Sequence, residues 1–400
     1  MPSDLKYNNR ICVLNALRNQ NIATAKSIAD RIGISRQTVT KSLLYFIEKG
    51  IVITAGKGDS TATGGKPPER YMLSPSMLFA CFSLWPDEIN ITLFSLNGDI
   101  ACSYKEAHEL GSDPKKEIDY AADKCFGIMK DNDIDISQIC AVSLSTAGII
   151  DRKNGLLKYS SQSPEWGSGI PMEKYIRAHF KNIPVFLENS GKMTARPYLQ
   201  DETLKDKRLL VIFACWGLSS CLIEKNDILN GKNSLIGEIG HMIIDPDDTE
   251  KCGCGGYGCL ERLVSPQRLR KIIKQKAEEY PDSPLLTHES GIPEIFEYSK
   301  GGDRLAQYLA RYAAEAFSLA LRNISLVFDP DMVVFQGDFA YADAVFNQTL
   351  LTSLGKFRYY PDREGPFEIV YDKRALHDLD VNGSYIAVAD RFFSEAQIYV

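Results

Sequence analysis

The sequence holds no run approaching the roughly 20 apolar residues that a bilayer span requires, and its opening MPSDLKYNNR lacks the apolar stretch of a secretion signal. A cytoplasmic protein with no membrane partner is therefore expected. Glycine (29) and proline (18) are too sparse in 400 residues for collagen-like structure or for disorder throughout. With 44% hydrophobic and 24% charged residues the chain can build sizeable cores, and its length predicts two or three domains. A disulfide framework is not expected. The ten cysteines are spread along the chain, Cys81, Cys125, Cys140 and Cys215 in apolar surroundings, and only Cys252, Cys254 and Cys259 stand together.

Charge is unevenly divided. Residues 1–76 carry 11 Lys and Arg against 5 Asp and Glu, a balance of +6 on a chain whose net charge is −6, so the remainder carries −12. A basic head on an acidic body points to a polyanion partner at the N-terminus and nowhere else.

Within the head three apolar-periodic segments, Arg10 to Asn19, Thr24 to Ile32 and Ser35 to Lys49, read as helices. Gly33 stops the second, where a left-handed turn is easiest, and Ser35 caps the third. Two short helices joined by a Gly-containing turn predict a helix-turn-helix. Arg36, Gln37, Thr38 and Lys41 then fall on the exposed N-terminal part of the recognition helix, with Val39, Leu43, Leu44 and Ile47 on its buried side. The stretch IVITAG after Gly50, a polar run from Lys57 to Gly65 and a short strand from Arg70 to Leu73 predict a hairpin wing. Its charges, Lys57, Lys66 and Arg70, could lie along phosphates or enter a minor groove. The alternative is a helical hairpin whose surface charges are merely solvated. The expected unit is a winged helix-turn-helix over residues 1–76, bound to DNA.

From about Met77 the texture becomes α/β. Strands are predicted at Leu78 to Leu84, Ile89 to Leu96, Ile139 to Ser145, Pro184 to Leu187, Leu209 to Cys215 and Met332 to Gln336. Amphipathic helices lie between them at Pro114 to Lys130, Met172 to His179 and Leu305 to Val327. The spacing of the opening strands from the Leu209 strand hints at a duplicated plan.

The most informative stretch is GEIGHMIIDPDDTEKCGCGGYGCLE from Gly237. His241, Cys252, Cys254 and Cys259 are four ligands of the kind that hold tetrahedral Zn²⁺, and glycines at 253, 255, 256 and 258 let the backbone fold tightly enough for the thiolates to converge. A closed set of four marks a structural metal. Three buried free cysteines are the alternative, but a polar Gly-rich loop offers no core to bury them.

GEIGH at Gly237 to His241, the CGCGGYGCLE run, and a helix-turn-helix followed by GGKPP at Gly64 to Pro68 together resemble the ROK proteins (repressors, open reading frames and kinases), in the transcriptional-regulator branch. The resemblance covers nearly the whole chain. It implies an actin-like, sugar-kinase-like body of two α/β lobes, residues 77–190 and 191–381, the first completed by a C-terminal helix near 382–400. It also implies a cleft between the lobes that binds a sugar through Asn189, Glu238, His241 and Glu261, and a homodimer or homotetramer. Convergent carboxylates and amides suit a ring of hydroxyls. Glu238 and Glu261 could instead support the metal loop, and Trp166 in SPEWG either offers an apolar face to the sugar or packs in the core.

Three departures from the family's kinases concern one mechanism. The D-x-G-G-T phosphate turn is matched by Ser83, Leu84, Trp85, Pro86 and Asp87, where Trp and Pro block close approach and Pro removes a donor. The second phosphate loop reads Cys215 to Cys221 and keeps one glycine, Gly217. The E-N-D motif, whose Asp is the general base, reads Glu188, Asn189, Ser190, and a serine hydroxyl cannot accept that proton near neutral pH. The expectation is a sugar-responsive, non-catalytic transcriptional regulator. The alternatives are an active ATP-dependent sugar kinase with a DNA-binding head, or a body that answers to redox state or zinc through its cysteines.

Overall fold

The computed structural model describes residues 2–58, 67–356 and 367–394. The N-terminal unit comprises α1 (Pro2–Gln20), β1 (Ile22–Thr24), α2 (Ala25–Ile32), α3 (Arg36–Glu48), β2 (Val52–Lys57) and β3 (Glu69–Leu73), the strands pairing antiparallel in the order β1-β3-β2. Each junction has a local cause. Thr24 and Ser27 cap α2 reciprocally, each hydroxyl accepting from the other's backbone N–H, at 3.0 and 3.1 Å. Gly33 closes α2 at φ 70, and the Ser35 hydroxyl accepts from Thr38 N–H at 3.1 Å to open α3.

On α3 the buried line is Val39, Leu43 and Phe46, while Gln37, Lys41, Leu44 and Glu48 share an exposed stripe. Leu44 therefore faces solvent, contrary to its expected place on the buried side. At about 100° per residue it falls in line with Gln37 and Lys41, and Phe46 takes the core position one turn beyond Leu43.

The body runs β4 (Leu78–Leu84), β5 (Glu88–Ser95), β6 (Ile100–Ala107), α4 (Pro114–Asp131), β7 (Ile139–Thr146), β8 (Ile149–Asp151), β9 (Leu156–Tyr159), α5 (Met172–His179), β10 (Val185–Asn189) and α6 (Ser190–Ala195). It continues with β11 (Leu209–Ala214), β12 (Leu218–Glu224), β13 (Asp227–Ile228), α7 (Leu260–Leu263), α8 (Pro266–Gln275), α9 (Ile292–Lys300) and α10 (Arg304–Ser325). Last come β14 (Met332–Gly337), α11 (Ala344–Gly355), β15 (Glu368–Asp372) and α12 (Leu376–Ser394). Among the described residues no helix is long and apolar enough to cross a membrane.

Two five-stranded sheets organise this body, in the orders β10-β7-β4-β5-β6 and β13-β12-β11-β14-β15. Each opens with an antiparallel meander and is extended on the other side of its first strand by two parallel strands. The plan is thus used twice. β4 is central and buried on both faces, which is why it reads as the unbroken apolar run LFACFSL, whereas edge strand β6 alternates with solvent. The final helix α12 returns to the first sheet. Its Val388, Ala389, Phe392 and Phe393 share one cluster with Phe79 and Ala141 of that sheet and with Val13, Leu14 and Leu17 of α1.

Candidate functional site

Asn189, Glu238, His241 and Glu261 line one narrow cavity of about 60 Å³. Its walls come from both sheets. Trp85, Pro86, Ala147 and Gly148 follow strands of the first, while Phe213 and Trp216 to Ser219 belong to the β11–β12 hairpin of the second. Asn189 ends β10 and caps α6. Its Oδ1 accepts from Lys192 N–H at 3.1 Å and its Nδ2 donates to the Gly148 carbonyl at 2.7 Å, leaving one amide hydrogen and one acceptor lone pair for another partner.

Glu261 accepts from the Leu218 N–H at 2.8 Å, so one of its oxygens is fixed by the hairpin turn. Burial pushes the Glu238 carboxyl above the ordinary range, against the pull of His241 and Lys192. Gly237 sits at φ 103, and a Cβ there would lie 2.0 Å from the Ser220 carbonyl oxygen, so only glycine lets this segment lie against β12. That contact aims the next residue, Glu238, into the cavity.

His241 belongs to two arrangements. It lines the cavity and also holds its Nδ1 3.6 Å from Cys252 Sγ, while Cys254 Sγ and Cys259 Sγ lie 3.7 Å apart. The four ligand atoms are all within 4.8 Å of one another. A tetrahedral zinc with bonds of about 2.3 Å to sulfur and about 2.0 Å to nitrogen separates its ligands by roughly 3.5 to 3.8 Å, so the residues present fit such an ion. Gly256 donates its N–H to Cys254 Sγ at 3.5 Å. Burial, reinforced by the neighbouring thiols, pushes Cys259 up to about 12, and a divalent cation is the group that would hold such thiols as thiolates.

The loop that carries the cysteines is braced from α7 and α8. Arg268 reaches Asp248 at 2.5 Å and Glu250 at 3.3 Å, Lys271 pairs with Glu250, and Arg262 meets Glu250 at 3.1 Å.

A residue that no sequence motif flagged organises the first phosphate-turn position. Asp380 of α12 is fully buried and accepts from Trp85 Nε1 at 2.8 Å, from Ser145 Oγ at 2.7 Å and from Ser83 Oγ. The Trp85 ring is packed between His377 and Phe213, at centroid distances of 4.4 and 5.6 Å. Trp85 is thus tied to α12 at the cavity wall, with Pro86 beside it. Glu188 points elsewhere, to Arg152 at 2.9 Å and Arg196 at 3.8 Å. Trp166 packs in the core beside the first sheet and donates Nε1 to the Gly111 carbonyl at 2.7 Å, while Ser161 and Gln162 nearby in sequence line the cavity instead.

On the head, Arg36, Gln37, Lys41 and Lys57 are exposed and Arg70 is half-buried. Thr38, expected to be exposed, is half-buried because its hydroxyl lies 2.8 Å from that of Ser35 and belongs to the helix cap. Lys66 lies outside the described residues.

Beyond Glu261 a second cavity opens, with Asp338 on its wall. Burial, with Glu294 nearby, pushes the Asp338 carboxyl up to about 6 from 3.8. The native state therefore binds this proton more tightly than the unfolded chain, and the stability it contributes is present at low pH and lost as pH rises through about 6. Two pKa units correspond to roughly 3 kcal/mol. Asp338→Asn is expected to raise the denaturant-unfolding free energy at pH 8 by about 2 to 3 kcal/mol and to leave it nearly unchanged at pH 4.

A sequence model described as the ROK family matches residues 84–385 of this chain. The xylose repressor of Caldicellulosiruptor bescii is 23% identical over 354 residues, covering 86% of this chain and 87% of the repressor. The glucokinase of Thermotoga maritima is 24% identical over 260 residues, 62% of this chain and 79% of the kinase. Among solved structures, a ROK family transcriptional regulator, a homologue of the Escherichia coli MLC protein, aligns with TM-score 0.78 at 17% identity over 98% of this chain and 99% of its own. At that identity the likeness establishes a shared fold.

Proposed function

We propose, from the premise that this chain belongs to the ROK family, that it is a sugar-responsive transcriptional repressor whose kinase-like body senses but does not phosphorylate its ligand. The observation that carries this reading is the cavity wall. Trp85, hydrogen-bonded to Asp380, and Pro86 occupy the turn where a phosphate site needs small residues and free backbone donors. Ser190 lines the same cavity where a general base would be needed, and its hydroxyl cannot do that work. Carboxylates and an amide converge there nonetheless, which suits a polyol.

In this reading residues 1–76 are a winged helix-turn-helix. Arg36, Gln37, Thr38 and Lys41 meet the major groove, and Lys57, Lys66 and Arg70 meet the backbone of operator DNA. Residues 77–190 and 191–381 are two lobes that hold the sugar through Asn189, Glu238, His241 and Glu261. His241, Cys252, Cys254 and Cys259 hold one Zn²⁺, whose chemistry is structural, because four protein ligands leave no open position. With one ring nitrogen committed to the metal, His241 has only the other to offer a sugar. A homodimer or homotetramer would read two half-sites about one helical turn apart or a multiple of it.

The reading is tested by titrating a selected operator with and without a sugar that raises the melting temperature. Sugar should weaken operator binding by roughly 5- to 150-fold, and operator must weaken sugar binding by the same factor. Equal affinities in the two titrations would sink it. Arg36→Ala is expected to weaken operator binding by roughly 5- to 150-fold, equivalent to roughly 1 to 3 kcal/mol, read by fluorescence anisotropy at fixed salt. Purified protein should transfer no phosphate from ATP to any sugar that it binds; product that disappears on cleft mutation would reinstate the kinase reading.

A further inference from the structure

Helix α12 spans 19 residues, about 28 Å, and joins the cavity to the head. Near its start, Asp380 holds Trp85, a cavity wall, at 2.8 Å. One turn later Gly383 lies against α6 so closely that a Cβ would stand 1.8 Å from the Met193 carbonyl oxygen. The first turn of α6, Ser190 and Gly191, lines the cavity directly after the capping Asn189. Two independent parts of the cavity wall therefore rest on adjacent turns of one helix.

At the far end of α12 the contacts are with the head. Asn15 Nδ2 donates to the Phe393 carbonyl at 2.7 Å, Arg18 pairs with Asp390 at 3.1 Å, and the Arg18 guanidinium lies 4.8 Å from the Phe393 ring centroid. Phe392 and Phe393 share an apolar cluster with Leu14 and Leu17 of α1 and with Leu43 and Phe46 of α3. A hydrogen-bonded helix is stiff along its axis, and its two ends are fixed by polar bonds as well as by packing.

We propose that α12 is the mechanical link through which occupancy of the cavity reaches the DNA-binding head. The proposal rests on the sugar-responsive repressor reading and adds its route. A sugar that displaces Trp85 or the first turn of α6 moves the Asp380 end of the rod, and the Asn15 and Arg18 contacts carry the shift to α1 and hence to α3. Asn15 and Arg18 are positioning residues in this scheme. They touch neither the cavity nor the exposed stripe of α3.

The test uses the full chain and whichever of D-xylose, D-glucose and N-acetyl-D-glucosamine raises its melting temperature. In the parent that sugar should change operator affinity by at least about 5-fold. The Asn15→Ala/Arg18→Ala variant should show the same sugar-induced melting shift and parental operator affinity without sugar, while sugar changes its operator affinity by less than about 2-fold. Should the double variant fail to fold, Asp390→Asn, which removes only the charge of the pair, should reduce the coupling in the same direction. A folded variant that keeps the parent's full response overturns the proposal. So does one that loses operator binding without sugar, since the contact would then build the head instead of informing it. A parent in which none of the three sugars raises the melting temperature or alters operator affinity overturns the repressor reading itself.

Discussion

Cys254→Ser is expected to abolish metal binding and, with it, much of the affinity for sugar. Cys254 is exposed, so serine costs almost nothing in packing, and what is lost is a thiolate ligand. Elemental analysis of protein purified without chelators should give about one zinc per chain for the parent and less than about a tenth for the variant. His241 would then lose the partner that fixes its ring, and Glu238, three residues earlier in the same segment, would lose its footing. Changes in groups that orient ligands typically cost 10- to 100-fold, and a loss of that size in sugar affinity is expected. An unchanged zinc content would remove Cys254 from the ligand set.

The second large effect is expected at Asp380. Truncation to alanine leaves the Trp85 indole N–H and the Ser83 and Ser145 hydroxyls without their common acceptor, in a site where Asp380 itself is fully buried. At about 1 to 3 kcal/mol for each buried donor left unpaired, a destabilisation on the order of 3 to 6 kcal/mol should appear in chemical denaturation. Asp380→Asn keeps one acceptor oxygen and nearly the same shape, and should lose far less. Equal losses in the two variants would mean that volume, not hydrogen bonding, is what Asp380 supplies.

The contrast between these two positions indicates what a sequence reveals. The His/Cys cluster is legible because its four members lie within 19 residues and carry a chemistry that few other arrangements need. The caps at Thr24 and Ser35 are equally local. Asp380 is illegible as a site because its partners are 235 to 297 residues away, although it stands on a face with Gly383, Ser384, Ala387 and Val388 whose spacing marks it as buried. Edge strand β6 escapes for another reason. IACSYKEA alternates with solvent and offers no apolar run, and only its pairing with β5 makes it a strand. Leu44 is misread because adjacent leucines on a helix point about 100° apart, and the choice between Leu43 and Leu44 is made by the partner helices. The duplicated sheet plan is visible in outline from the two opening strands, but its order follows from pairings that no local pattern encodes.

The placement of the tryptophans gives the protein a built-in optical readout. Of the three, Trp85 and Trp216 line the cavity and Trp166 is held in the core beside the first sheet by its bond to Gly111. Trp216 is half exposed at the rim, where an entering molecule would strip water from its indole. Emission from that ring should shift to shorter wavelength as the cavity fills, while Trp166 contributes a constant background against which the shift is read. Occupancy can therefore be followed in the unlabelled chain, and a Trp216→Phe variant assigns the signal.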